Sequence, residues 1–240
     1  MTDLTRKWEE SGYNKQYLEI SDIILQDRDR LMNILISHIR HFGKSRAGNT
    51  FLDLGCGDGV LAKHIHSFFP ENTFHVCDGS EKMITAAKEN LKHIAGCHFY
   101  TVTFEEIMEN EVFGTRFDFI VSSFAVHHIQ HEIKYRFFET LNSLLKPDGH
   151  FINIDTCLSG NQQTNEWYYT LWKEWIIGQQ ERAGIKEDYS DIPQKAPHKP
   201  ENHYQELDIQ LDWLKKAGFT NVDCYYKYGI FCIYGGQKTE

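Results

Sequence analysis

Three glycines and two aspartates fall within seven residues in DLGCGDG, which holds Asp53, Gly55, Cys56, Gly57, Asp58 and Gly59. Glycines set this closely mark a backbone that turns hard or lies against a ligand. A loop after a strand cradles a pyrophosphate when its spacing is G-x-G-x-x-G. Here the spacing is G-x-G-x-G, and Val60 occupies the place of the third glycine. Two carboxylates beside a pyrophosphate would repel it. They suit a cation instead, a sulfonium or an ammonium. Asp78, in HVCDGS, ends the next apolar run about twenty residues on, where an acid accepts hydrogen bonds from ribose hydroxyls. Taken singly, these features read as a tight turn and as an acid beside a helix cap. In combination they point to a nucleoside ligand with a charged end.

A second cluster, His127, His128 and His131, lies in FAVHHIQHEIKY. On a helix His127 and His131 share a face. No further ligand set with tight spacing appears elsewhere, so no metal is expected. The histidines are expected to pack, cap or meet solvent, and His127 or His128 has the right pKa range for a catalytic base. The stretch NEWYYTLWKEW sets Trp167, Tyr168, Tyr169, Trp172 and Trp175 at helical spacing. Such a stripe is more often core than ligand site. A lid that excludes water, or a dimer interface, is the alternative.

These residues need elements to hold them. Apolar positions from Ile20 to Ile39 recur at helical spacing, and GKSRAGN (43–49) breaks that run. Strands are expected at 50–54, 73–78, 97–102, 117–123 and 150–155. Helices are expected at 59–69, 80–91 with Ser80 as N-cap, and 132–145 before KPDG (146–149). Alternation of this kind argues a parallel sheet covered on both faces, with ligands at the carboxyl ends of the strands. The rhythm changes after residue 158. A helix at 165–184 leads into DIPQKAPHKP, whose prolines favour an extended loop. A helix at 206–219 and a strand pair turning near Gly229 close the chain.

Composition narrows the function. The 240 residues carry 25 basic and 34 acidic side chains, a net charge of −9, and no basic stripe. A nucleic-acid partner is therefore disfavoured. The six cysteines form no C-x-x-C pair and read as reduced thiols in a cytosolic protein. No apolar leader or run of about eighteen apolar residues is present, so a cytoplasmic, membrane-free chain is expected.

FLDLGCGDG, HVCDGSEKMITAAKEN, FDFIVSSFAVHHI and LLKPDGHFINID resemble, in order, the motifs of class I S-adenosylmethionine-dependent methyltransferases. The resemblance covers about 50–157 and extends more weakly to the C-terminus. It implies a Rossmann-like, doubly wound α/β fold. The sheet would be seven-stranded and mostly parallel, ending in an antiparallel hairpin, with an N-terminal helical cap (1–48). The core would be 49–157 with 204–240, and a helical insertion (158–203) after strand five would form a lid or dimer surface. The implied cofactor is S-adenosyl-L-methionine, leaving S-adenosyl-L-homocysteine. Gly55, Cys56 and Gly57 would line its methionine end, with Asp53 near the ammonium. Asp78 would hold the ribose, Gly79 and Met83 the adenine. Thr103 and Phe104 stand where the family often has an acid for the adenine amine, so the backbone is expected to serve there. Ser122 and Ser123 would lie under the sulfonium. Tyr17, with Tyr13 a candidate wall of the N-terminal helices, joins Asp155 and Trp172 as acceptor-binding candidates. The expected reaction is in-line methyl transfer to a small molecule, with a homodimer as the candidate assembly. The C-terminus also resembles carboxy-S-adenosylmethionine synthases that serve tRNA modification, which leaves that chemistry as the alternative. A non-catalytic binding protein is the third reading.

Overall fold

The computed structural model describes residues 20–21, 23–43 and 48–239. Tyr13 and Tyr17 lie outside the described residues. Among the described residues one seven-stranded sheet runs in the order β3-β2-β1-β4-β5-β7-β6. Its strands are β1 (Thr50–Leu54), β2 (Thr73–Asp78), β3 (Cys97–Thr101), β4 (Phe117–Ser123), β5 (Leu145–Thr156), β6 (Phe219–Tyr228) and β7 (Phe231–Lys238). The first five are parallel, whereas β7 runs antiparallel to both β5 and β6. Gly229, at φ 58°, sits in the turn of that hairpin, a conformation that favours glycine.

Alternate residues of each central strand face opposite sides. Phe51, Phe119, Val121 and Ile154 enter one apolar layer, and Leu52, Leu54, Ile120 and Phe151 enter the other. The first layer is closed by α1 (Arg28–Phe42), α2 (Val60–Phe68), α3 (Glu81–Asn90) and α6 (Gln162–Ala183). The second is closed by α4 (Phe104–Glu109), α5 (His131–Leu144) and α8 (Leu207–Lys216). Burial on both faces is why these strands read as continuous apolar runs.

Three local expectations are corrected. The helical run from Ile20 to Ile39 breaks at residues 25–27, where Asp27 adopts a left-handed φ of 54° and accepts from the Tyr226 hydroxyl at 2.9 Å. The proline stretch is not extended. It makes α7 (Ile192–Lys195) and a 3-10 turn (Ala196–His198), with Pro193 and Pro197 in first-turn positions where their missing N–H costs nothing. Helix α4 was not foreseen. Thr103 starts it with a reciprocal cap: its hydroxyl accepts from the Glu106 amide at 3.2 Å, and its own amide donates to Glu106 Oε2 at 2.8 Å.

Candidate functional site

Strand order reverses between β1 and β4, so the helices that follow them leave the sheet on opposite faces. An open α/β sheet binds ligands in the crevice at that point. A cleft of about 380 Å³ lies there.

Its floor is the loop 55–59. Gly55 has φ 62°, and a Cβ on it would come within 2.4 Å of the Ala125 Cβ, so only glycine lets the two strand ends meet. Gly57 has φ 55°, and a Cβ there would point into open space. The backbone is thus bare on the side that faces the cleft. The Gly57 amide donates to Asp78 Oδ2 at 3.1 Å, and the Ser80 amide donates to Asp78 Oδ1 at 2.9 Å. Each Asp78 oxygen keeps a further lone pair for a ligand hydroxyl. Ser80 caps α3 as expected, accepting from the Met83 amide at 3.4 Å.

Asp53 is 1% exposed, and neither carboxylate oxygen has a hydrogen-bond partner. Burial pushes its carboxyl up to about 7; the Ala62 amide opposes the rise, while Asp78 and Asp58 add to it. A buried carboxyl on a cleft wall, with only the Ala62 amide opposing the cost of burial, lacks the cation that would stabilise its charge. Burial likewise raises Asp78 above the usual carboxylate range, against the pull of the Ser80 and Gly57 amides. The bare Gly57 backbone, the orphaned Asp53 oxygens and the Asp78 acceptors fit a nucleoside with a cationic amino-acid end.

Most of the sequence-predicted residues meet at this cleft. Asp53, Gly55, Cys56 and Gly57 form its floor, with Asp78, Gly79 and Met83 beside them. Thr103, Phe104, Ser123 and His128 also line it. The Thr103 hydroxyl and amide are both engaged in the α4 cap with Glu106, and its carbonyl accepts from the Ile107 amide at 3.1 Å. The Phe104 and Glu105 amides open that helix with no acceptor within it.

Four predicted residues are elsewhere. Ser122 is buried and donates to the Leu54 carbonyl at 2.9 Å, bracing β4 against β1. Strand alternation turns it away from Ser123. His127 is buried, and its Nδ1–H donates to Asp155 Oδ1 at 2.5 Å. Burial works against the Asp155 charge. The His127 ring and its hydrogen bond outweigh it, with the Thr156 amide and Lys134, and hold the carboxyl below the usual range. Trp172 is 4% exposed; it packs edge-on to Phe231 and donates to the Ile24 carbonyl at 2.6 Å. Trp175 donates to the Ile23 carbonyl at 3.0 Å. These two indoles fix the segment that carries Leu25, which lines the cleft.

Other cleft residues were not anticipated. Phe124 lies on the wall at φ 54°, rare for a bulky residue, and its amide donates to the Ile154 carbonyl at 2.8 Å. No local sequence signal announces it. Ser21, Leu25 and Arg28 come from the N-terminal segment, and Pro200, Glu201 and His203 from the segment before α8. These come together only through long-range packing.

Sheet order, glycine loop and ribose-side acid are the architecture of an α/β protein that takes a nucleoside cofactor at the switch point. Residues 52–151 match the model of a family described as a methyltransferase domain. An uncharacterized methyltransferase of Schizosaccharomyces pombe is 28% identical over 152 residues, covering 58% of this chain and 51% of that protein. Juvenile hormone acid O-methyltransferase of Bombyx mori is 24% identical over 217 residues, covering 88% of this chain and 70% of that one. The solved structure of magnesium protoporphyrin IX methyltransferase from Synechocystis, with bound SAH, superposes with a TM-score of 0.66 at 14% identity, covering 98% of each chain. At that identity the likeness speaks for the fold. The chain spans about half the length of the yeast relative. Residues 52–151 are thus similar to a methyltransferase domain, on a fold shared with solved methyltransferases.

Proposed function

We propose that this chain transfers the methyl group of S-adenosylmethionine to a small-molecule acceptor. The observation that carries the cofactor half is the pair of unpartnered, buried Asp53 oxygens beside the bare Gly57 backbone. Asp53 receives the ammonium, Gly55, Cys56 and Gly57 line the methionine end, and Asp78 accepts from the ribose hydroxyls. Met83 and Phe104 supply apolar surface for the adenine. Bound there, S-adenosylmethionine supplies an electrophilic methyl on a sulfonium centre. Ser123, Phe124 and His128 then form the wall beyond the cofactor's reactive end. Burial and the neighbouring His127 push the His128 ring down to about 3, and its Nδ1–H donates to the Glu201 carbonyl at 2.9 Å. It therefore stays neutral near pH 7, and so weak a proton acceptor serves here to shape the wall rather than as a general base.

A small acceptor is supported by the net charge of −9, which disfavours nucleic acid, and by walls from both ends of the chain around the cleft. The extended similarity to an enzyme named for a carboxylic acid acceptor points the same way. Residues 158–203 act as the cover of the acceptor side, with α6 holding the N-terminal wall in place. Incubation with methyl-labelled S-adenosylmethionine and a panel of small carboxylic acids, phenols and amines tests the proposal. Labelled product from at least one acceptor supports it. Turnover with RNA alone would overturn it.

A further inference from the structure

Lys134 is 0% exposed in the first turn of α5, an ammonium enclosed in the apolar face of a helix. Burying such a charge costs several kcal/mol unless its bonds are met, and an apolar side chain of similar size is often no less stable there. Stability alone does not explain a lysine at this position. Its Nζ donates to the His203 carbonyl at 2.9 Å. The His203 amide in turn donates to the His127 carbonyl at 2.8 Å. Both backbone polar groups of His203 are therefore fixed, one by Lys134 and one by the residue that Asp155 anchors. Neighbouring ties run along the same segment. The His128 Nδ1–H donates to the Glu201 carbonyl at 2.9 Å, and the His131 Nδ1 pairs with Gln205 Oε1. The Leu158 amide, just after β5, donates to the Gln205 carbonyl at 3.0 Å.

Residues 199–206 thus form a strap bound to the ends of β4 and β5 and to α5. The cofactor contacts come from the ends of β1, β2 and β3, on the other side of the switch point. Pro200, Glu201 and His203 of the strap line the cleft. We propose that Lys134 is a positioning residue: its buried ammonium latches the strap 199–206 along the acceptor side of the cleft and fixes where His203 presents its ring. This rests on the reading of that side as the acceptor pocket. Lys134 does not itself line the cleft. It acts through the strap, which residues 127, 128, 131 and 134 tie down from the 3-10 turn after β4 and the first turn of α5.

The latch is tested on the ligand-free protein, by amide hydrogen exchange across 199–206 and by NMR titration of His203, comparing wild type with K134M and K134R. Affinity for S-adenosylhomocysteine serves as the control. In K134M the strap amides should exchange about tenfold faster or more, as expected when a local closing interaction is lost. The His203 pKa should rise, because burial and then the His131 and Lys134 charges now lower it. S-adenosylhomocysteine affinity should stay within about threefold, since no cofactor contact is touched, and K134R should restore both strap readouts. Unchanged exchange and an unchanged His203 titration in a folded K134M would show that Lys134 merely fills space, and would overturn the proposal. Should K134M fail to fold, K134L, likewise apolar and without a donor, carries the same test. Failure of wild type to bind S-adenosylhomocysteine would overturn the cofactor reading, and the ligand-free exchange would still decide the latch.

Discussion

The Gly57 amide donates to Asp78 Oδ2 at 3.1 Å, tying the loop after β1 to the acid that ends β2. In the proposed binding mode, the cradle for the cofactor's amino-acid end and the acceptor for its ribose are therefore one tied unit. Preorganisation of this kind reduces the ordering that binding must impose.

Asp78→Ala removes that tie and the ribose acceptors together. It should weaken S-adenosylhomocysteine by about ten- to a hundredfold, the range for lost hydrogen bonds to a charged group. Thr103→Ala should do the reverse. It leaves affinity within about threefold and lowers stability by about 1 kcal/mol, because the hydroxyl caps α4 and makes no ligand contact in this account. Calorimetric titration of both variants, with melting curves, checks the pair.

Asp53 gives binding a pH dependence. Its carboxyl is raised to about 7 in the free protein, chiefly by burial, and is largely protonated at pH 6. An ammonium beside it favours the ionised form and lowers that pKa. Binding should therefore release a proton below pH 7, and S-adenosylhomocysteine affinity should rise as pH goes from about 5.5 to 7. Calorimetry in buffers of different ionisation enthalpy measures the proton. Proton uptake, or affinity flat across that range, would contradict the assignment. Asp53→Asn should abolish the dependence.

Acid should destabilise the fold through buried histidines. Burial, then the His150 and His41 charges, pushes His38 down to about 3. Burial does the same to His150 and His75, each to about 4, with Asp148 opposing at His150 and His98 assisting at His75. Below the ordinary value of 6.5 the unfolded chain takes up protons that these folded rings refuse, so stability falls as pH drops from about 6.5 toward 4. Asp53, protonated early in the fold, opposes this but is outnumbered. His150→Phe, placed among the rings of His38, Phe42 and Phe119, should shift the acid midpoint to lower pH. An unmoved midpoint would show that these rings are not what titrates.

The histidine cluster should hold no metal. Among the described residues no three His, Cys, Asp or Glu side chains come together in a way that could hold a metal ion. Elemental analysis should find well under one zinc or iron per chain. A stoichiometric metal lost in His131→Ala would overturn this.

How much was legible in the sequence follows from range. The parallel core was visible because β1, β2 and β4 are buried on both faces and flanked by glycine, serine and proline signals. The loop 55–59 and Asp78 were visible because their roles depend on backbone conformation and neighbours close in sequence. Thr103 lines the cleft, whereas the engagement of its hydroxyl with Glu106 was not legible without first recognising α4. Ser122 and Ser123 differ only by strand alternation, which a pair of identical residues does not reveal. The bonds of Trp172 to Ile24 and of Asp155 to His127 were not legible, because those partners are distant in the chain. The strap 199–206 and Lys134 carry no local signal at all. A lysine in an amphipathic helix reads as solvated until the fold encloses it.

Isothermal titration of the purified chain with S-adenosylhomocysteine, with NAD as comparison, is the most direct test of the cofactor assignment at Asp53, Gly57 and Asp78. Saturable binding of S-adenosylhomocysteine near one per chain, abolished or strongly weakened in Asp78→Ala, with no heat from NAD, is the predicted result. Binding of NAD with no response to S-adenosylhomocysteine would contradict the account.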